Sequence, residues 1–148
     1  MNLQESGGKR PVATRRRRGL QLETKAMTAA EVLQRYKDEK LPAFVEIPLE
    51  SVNQIGNFGE RPLHVACGRA SMEEIIALVE AGADVNAPGD MRYTPLHESV
   101  TRGHIAAIQY LLAHGASPEL KNEFGATAID IAIGKERMDI AKLLTQGR

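Results

Sequence analysis

Apolar residues along this chain fall into short helical stripes separated by turn formers. Val32, Leu33 and Tyr36 share one face of a helix whose start is marked by Thr28-Ala29-Ala30-Glu31. There the hydroxyl and the carboxylate can satisfy the first free backbone N–H groups. Leu41-Pro42 stops that helix, because the proline ring disfavours helical geometry in the residue before it. Residues 43–48, with Phe44, Val45 and Ile47, read as a short extended segment. Farther on, Ile105, Ile108, Leu111 and Leu112 stand at i, i+3, i+6 and i+7, the spacing of one buried helix face. Met72, Ile75, Ile76, Leu78 and Val79 draw the same stripe, as do Met138, Ile140, Leu143 and Leu144.

A shorter helix is expected before each stripe. Thr94 is a good N-cap, and Pro95 sits at the first helical position, where its missing N–H costs nothing. Gly103-His104 breaks this helix, and Gly115 suits the left-handed conformation that ends the next one. The unit is therefore helix, turn, helix and a turn-rich connection. It recurs: Arg61-Pro62-Leu63-His64, Thr94-Pro95-Leu96-His97 and Thr127-Ala128-Ile129-Asp130 lie 33 positions apart. In the same register Gly82-Ala83 matches Gly115-Ala116, Leu78 matches Leu111 and Leu144, and Val52-Asn53 precedes Val85-Asn86. A fixed period of this size signals stacked supersecondary units that bury a core between neighbours.

Thr94-Pro95-Leu96-His97, Gly103-His104, Leu111-Leu112 and Gly82-Ala83-Asp84-Val85-Asn86 resemble the ankyrin repeat over about residues 50–148. The resemblance implies an all-α solenoid of helix-turn-helix units joined by β-hairpin-like loops, with an N-terminal capping helix. The chain then divides into a disordered basic tail (1–26), a helix with a divergent capping half-repeat (27–56) and repeats at 57–89, 90–122 and 123–148. The third unit departs most, with Ala128 in place of Pro and Glu136-Arg137 in place of Gly-His, and reads as a cap with a more polar outer face. Arg61 replaces the usual Thr, so the first unit loses its hydroxyl cap. Arg92-Tyr93 stand where the family usually has Gly, which implies a differently shaped hairpin turn.

Composition adds little against this and charge adds one feature. The 148 residues include three Tyr, three Phe and no Trp, so the core must be aliphatic and Ala-rich. Residues 1–26 hold seven basic and two acidic side chains, a net +5, whereas the remainder holds 12 and 17, a net −5. The basic tail, with Arg15, Arg16, Arg17 and Arg18, is read first as a solvated segment. It also reads as a nucleic-acid or anionic-surface contact acting through counterion release, or as a nuclear address. No apolar run approaches the ~18 residues of a membrane span, and the expected location is cytoplasmic, or nuclear in a eukaryote.

Catalytic and cofactor motifs are missing: there is no P-loop, no His-Glu-x-x-His, no Cys-x-x-Cys and no Gly-x-Ser-x-Gly. Cys67 is the only cysteine, which excludes an internal disulfide. His64 and Cys67, three apart, offer a weak metal pair. The resemblance instead gives His64 and His97 a hydrogen-bonding role between repeats and makes Cys67 a small buried residue. We expect a non-catalytic monomer without cofactor or metal that binds another protein, as an adaptor or as an inhibitor of an enzyme. Family register implies contacts at the hairpin tips (Asn57, Phe58 and Glu60; Asp90, Met91 and Tyr93; Glu123, Phe124 and Ala126). It also implies contacts at the helix edge (Arg69, Thr101, Arg102 and Lys135). The bulky tip residues Phe58, Met91, Tyr93 and Phe124 fall in turn-rich segments where no core requires them. Aromatics with nearby Arg have the composition of binding hot spots.

Overall fold

A computed structural model describes residues 25–146. Among these residues there are seven α-helices and no strand. Helix α1 (Ala29–Asp38) is followed by a 3₁₀ turn (Pro42–Phe44). Three helix pairs come next: α2 (Pro62–Gly68) with α3 (Met72–Glu80), α4 (Pro95–Arg102) with α5 (Ile105–Ala113), and α6 (Ala128–Gly134) with α7 (Met138–Gln146). Each pair packs on itself. Across pairs, α2, α4 and α6 form one row, while α1, α3, α5 and α7 form a second. Helix α1 thus takes a second-helix place, with no first helix before it among the described residues. The architecture is an all-α repeat solenoid.

The local signals act as their chemistry requires. Thr28 Oγ1 accepts the Glu31 N–H at 3.2 Å, and the Glu31 carboxylate answers at the Thr28 N–H. Thr94 and Thr127 cap α4 and α6 in the same way, accepting the N–H of His97 and Asp130 at 3.2 and 3.1 Å. Arg61 contributes no such cap, as its side chain predicts. Val32, Leu33 and Tyr36 are buried, and the apolar stripes of α3, α5 and α7 converge on Ile75, Leu78, Ile108, Leu111, Ile140 and Leu144, all fully buried.

Asparagines couple the connections between units. Asn53 accepts the Asp84 N–H and donates to the Gly82 carbonyl; Asn86, 33 residues on, accepts the Ser117 N–H and donates to the Gly115 carbonyl. One side chain therefore ties the end of α3, and another the end of α5, to the preceding connection. The 33-residue echo is, physically, this repeated clasp together with the matched caps.

Two local expectations are corrected. Residues 43–48 are not extended: backbone bonds from Phe44 to Leu41 and from Ile47 to Phe44 fold them into turns. The cause is burial of Phe44, whose ring stacks on Tyr36 with centroids 6.4 Å apart. Asn57 holds the turn by donating to the carbonyls of Pro42 and Val45. The outer face of the third unit is also less polar than expected. Ile133 occupies the register of Cys67 and Val100, which are buried, yet is itself 50% exposed, and Met138 is 59% exposed. The exchange to Glu136-Arg137 leaves the turn itself unchanged, since Glu136 has φ of +60° where Gly103 has +68°, and Arg137 N–H bonds the Ala132 carbonyl as His104 N–H bonds that of Ser99.

Candidate functional site: hairpin tips and the first-helix row

Each hairpin is closed at its neck by one backbone bond: Gly56 N–H to Glu60, Gly89 N–H to Tyr93 and Asn122 N–H to Ala126, at 2.7, 2.7 and 2.9 Å. The second and third necks are locked from behind by histidine. His64 Nδ1 accepts the Arg61 N–H, which leaves the proton on Nε2 to be donated to the Ala87 carbonyl at 2.9 Å. His97 repeats this, accepting from the Thr94 N–H and donating to the Ala126 carbonyl at 3.0 Å. Burial holds both imidazoles below their usual pKa, so they remain neutral and keep one donor and one acceptor. Backbone packs tightly here: a Cβ on Gly89 would lie 2.7 Å from His64 Nε2. Both ring nitrogens of His64 are thus engaged, and Cys67 is fully buried with its thiol pushed up to about 12 by desolvation. Neither residue presents a free ligand or a thiolate nucleophile.

The tips project past these necks. Phe58, Met91 and Phe124 hold one register position and are 59%, 50% and 68% exposed. Phe58 and Phe124 therefore do not pack away across their hairpins. Asn57, Asp90 and Glu123 beside them are exposed, whereas Glu60 and Ala126 are half-buried. Neighbouring tips touch through the Glu123 N–H, which donates to the Met91 carbonyl, as Asn57 donates to Ala43. Tyr93 is less exposed than Phe58, Met91 and Phe124. It is half-buried with its ring 5.4 Å from that of His97, so part of its surface serves the neck.

The middle tip is shaped unlike its neighbours. Gly59 and Gly125 have φ of +97° and +80°, and at the equivalent position Arg92 has φ of +60°, preceded by Met91 at +53°. Two side-chain-bearing residues in the left-handed region cost roughly 1–2 kcal/mol each. This is the altered turn that the missing glycine implied.

At the other end of the row, Arg69, Arg102 and Lys135 share a register but not an environment. Arg69 pairs with both oxygens of Glu39 at 2.8 and 3.1 Å, approaches Glu74 at 3.5 Å and lies over the Tyr36 ring. It belongs to a network that docks α1. At the centre, buried Glu74 accepts from Tyr36 Oη at 2.6 Å and from Arg35 at 2.8 Å. Burial, then this bond to Glu74, raises the Tyr36 pKa strongly. Sequence reasoning missed the network, although a glutamate in the register of Ala107 and Ile140 was its readable sign. By contrast, Arg102 and Lys135 are exposed and pair with no carboxylate among the described residues. Thr101, next to Arg102 on α4, is half-buried and donates to the His97 carbonyl. Arg15, Arg16, Arg17 and Arg18 lie outside the described residues.

Stacked helix pairs, matched caps and histidine-locked necks at a 33-residue period now coincide with a sequence comparison. The family pattern described as ankyrin repeats (three copies) matches residues 27–122 and, in an overlapping alignment, 94–148. The chain belongs to the ankyrin repeat family. It is 41% identical over 93 residues to BRCA1-associated RING domain protein 1 of Caenorhabditis elegans, covering 61% of this chain and 13% of that one. Similarity to mouse ankyrin repeat and SOCS box protein 11 is 35% over 98 residues, 66% of this chain and 29% of the relative. The probable E3 ubiquitin-protein ligase XBOS34 of rice matches at 36% over 93 residues, 61% of this chain and 18% of its own. The chain spans less than a third of each of these proteins. Ankyrin repeats bind other proteins, and among the described residues no helix is long and apolar enough to cross a membrane.

Proposed function

We propose that this chain is a non-catalytic adaptor module that captures a partner protein across its hairpin tips and the row formed by α2, α4 and α6. The observation that carries this reading is the line of Phe58, Met91 and Phe124, one exposed apolar side chain per unit, the last two on histidine-locked necks. Exposed apolar groups on rigid supports lose little conformational entropy when a partner covers them. Three groups that could do chemistry are committed to the fold: His64 and His97 to backbone, Cys67 to the core. Relatives named for a SOCS box or as ubiquitin ligases carry much more chain than this match, so capture is the part we assign to the repeats.

The test is affinity capture by the full chain and by a Met91→Ser, Phe124→Ser variant, with thermal melts of both. The reading expects specific partners to be lost from the variant while its melting temperature stays within a few degrees. Undiminished capture by a folded variant would move the binding surface elsewhere.

A further inference from the structure

We propose that the far edge of the second and third units holds an acidic segment of the partner, gripped by Arg102 and Lys135. A cleft of about 240 Å³ opens here, lined by Val100, Thr101, Arg102, Gly103, Lys135 and Arg137. Its chemistry is cationic. The third basic residue, Arg137, is neutralised by a bidentate pair with Asp139 at 3.0 and 2.9 Å and lies across Gly103, where a Cβ would sit 2.8 Å from Nη1. Arg137 therefore forms the wall, and the two free charges are Arg102 and Lys135. Glu98, about one turn back on α4, feels the charge of Arg102 without forming an ion pair with it. Both cations stand on a body of net charge −5, so this cleft is locally opposite to its surroundings.

Charge complementarity selects the occupant, and spacing narrows it. Arg102 and Lys135 hold equivalent positions on α4 and α6, which pack side by side. Packed helix axes lie about 8–10 Å apart. An extended chain advances about 3.3 Å per residue, so carboxylates roughly three positions apart would meet both cations. This inference rests on the protein-binding reading and gives the partner a chemistry: apolar side chains toward the tips, and acidic residues toward the helix C-terminal ends.

The experiment is a titration of the isotope-labelled full chain, followed by NMR, with a Gly/Ser peptide of about twelve residues bearing Glu at every third position. A Gln version and inorganic phosphate serve as competing probes. The inference expects shifts at the amides of residues 101–103 and 135–137, with binding that weakens as salt rises. It also expects a loss of affinity of at least about tenfold in a folded Arg102→Glu, Lys135→Glu variant. Equal binding of the Gln peptide, saturation of the same amides by phosphate at equal concentration, or shifts centred on Lys37 and Lys40 would each overturn it. If the peptide fails while partner capture still depends on Met91 and Phe124, this inference falls alone and the adaptor reading stands.

Discussion

The two ends of the stack solve the same problem with different chemistry. At the N-terminal seam, α1 docks on α3 through a buried polar cluster of Glu74, Tyr36 and Arg35, with Arg69 closing over it. At the seam between the second and third units, the corresponding second-helix positions are Ala107 and Ile140, and the contact is apolar. The difference decides the fate of one register position. Arg69 is consumed by its own fold, whereas Arg102 and Lys135 face solvent. Repeat register locates a residue; the neighbours determine whether it is free to bind.

The sharpest way to break the contrast is Glu74→Ala, which places at the first unit what the second carries as Ala107. It strands the buried Tyr36 hydroxyl and removes the carboxylate from Arg35. Breaking a buried ionic cluster from one side costs about 3 kcal/mol. Urea denaturation should show that loss, and hydrogen exchange should show α1 releasing first. A loss below ~1 kcal/mol would mean that the polar seam adds little beyond apolar packing. His97→Ala comes next, at about 2 kcal/mol, because it leaves the Thr94 N–H and the Ala126 carbonyl without their partner. It should loosen the third hairpin and spare α1, which amide exchange can resolve.

Arg92→Gly runs the other way. Glycine relieves the left-handed strain at the middle tip, and melting should show a gain of about 1 kcal/mol. Any accompanying loss of partner binding would mark the strained tip as part of the recognition surface. The smallest effect belongs to Glu98. Desolvation by burial, with Asp90 and Glu60 adding repulsion, raises its carboxyl above the usual value against the pull of Arg102. A raised carboxyl favours folding while protonated and loses that contribution as pH rises through its folded-state pKa. Glu98→Gln should therefore stabilise the neutral-pH protein slightly, by no more than about 0.5 kcal/mol. Paired melts should show the gain fading as pH falls into the carboxylate range.

The fold was legible because the repeat is made of local signals. Caps at Thr28, Thr94 and Thr127, Pro62 and Pro95 at helix starts and the stripes of α3, α5 and α7 act within a few residues of themselves. Legibility failed where the outcome rested on distant partners. Residues 43–48 look extended until Phe44 finds Tyr36, and Arg69 looks free until α1 brings Glu39 beside it. Ile133 carries no local sign of its exposure, since the same register is buried twice earlier in the chain. Of the candidate site, the exposed tips Phe58, Met91 and Phe124 and the free cations Arg102 and Lys135 were readable from register. The neck role of Tyr93 was not, because it depends on where the His97 ring settles.

The most direct test of the account is a hydrogen-exchange footprint of the full chain bound to a partner recovered by affinity capture. Binding across the tips and the far edge of the row predicts slowed exchange at residues 90–93, 101–103, 123–126 and 135–137, with α1 unchanged. Protection centred on α1 and residues 39–47, with the tips exchanging as in the free chain, would contradict it.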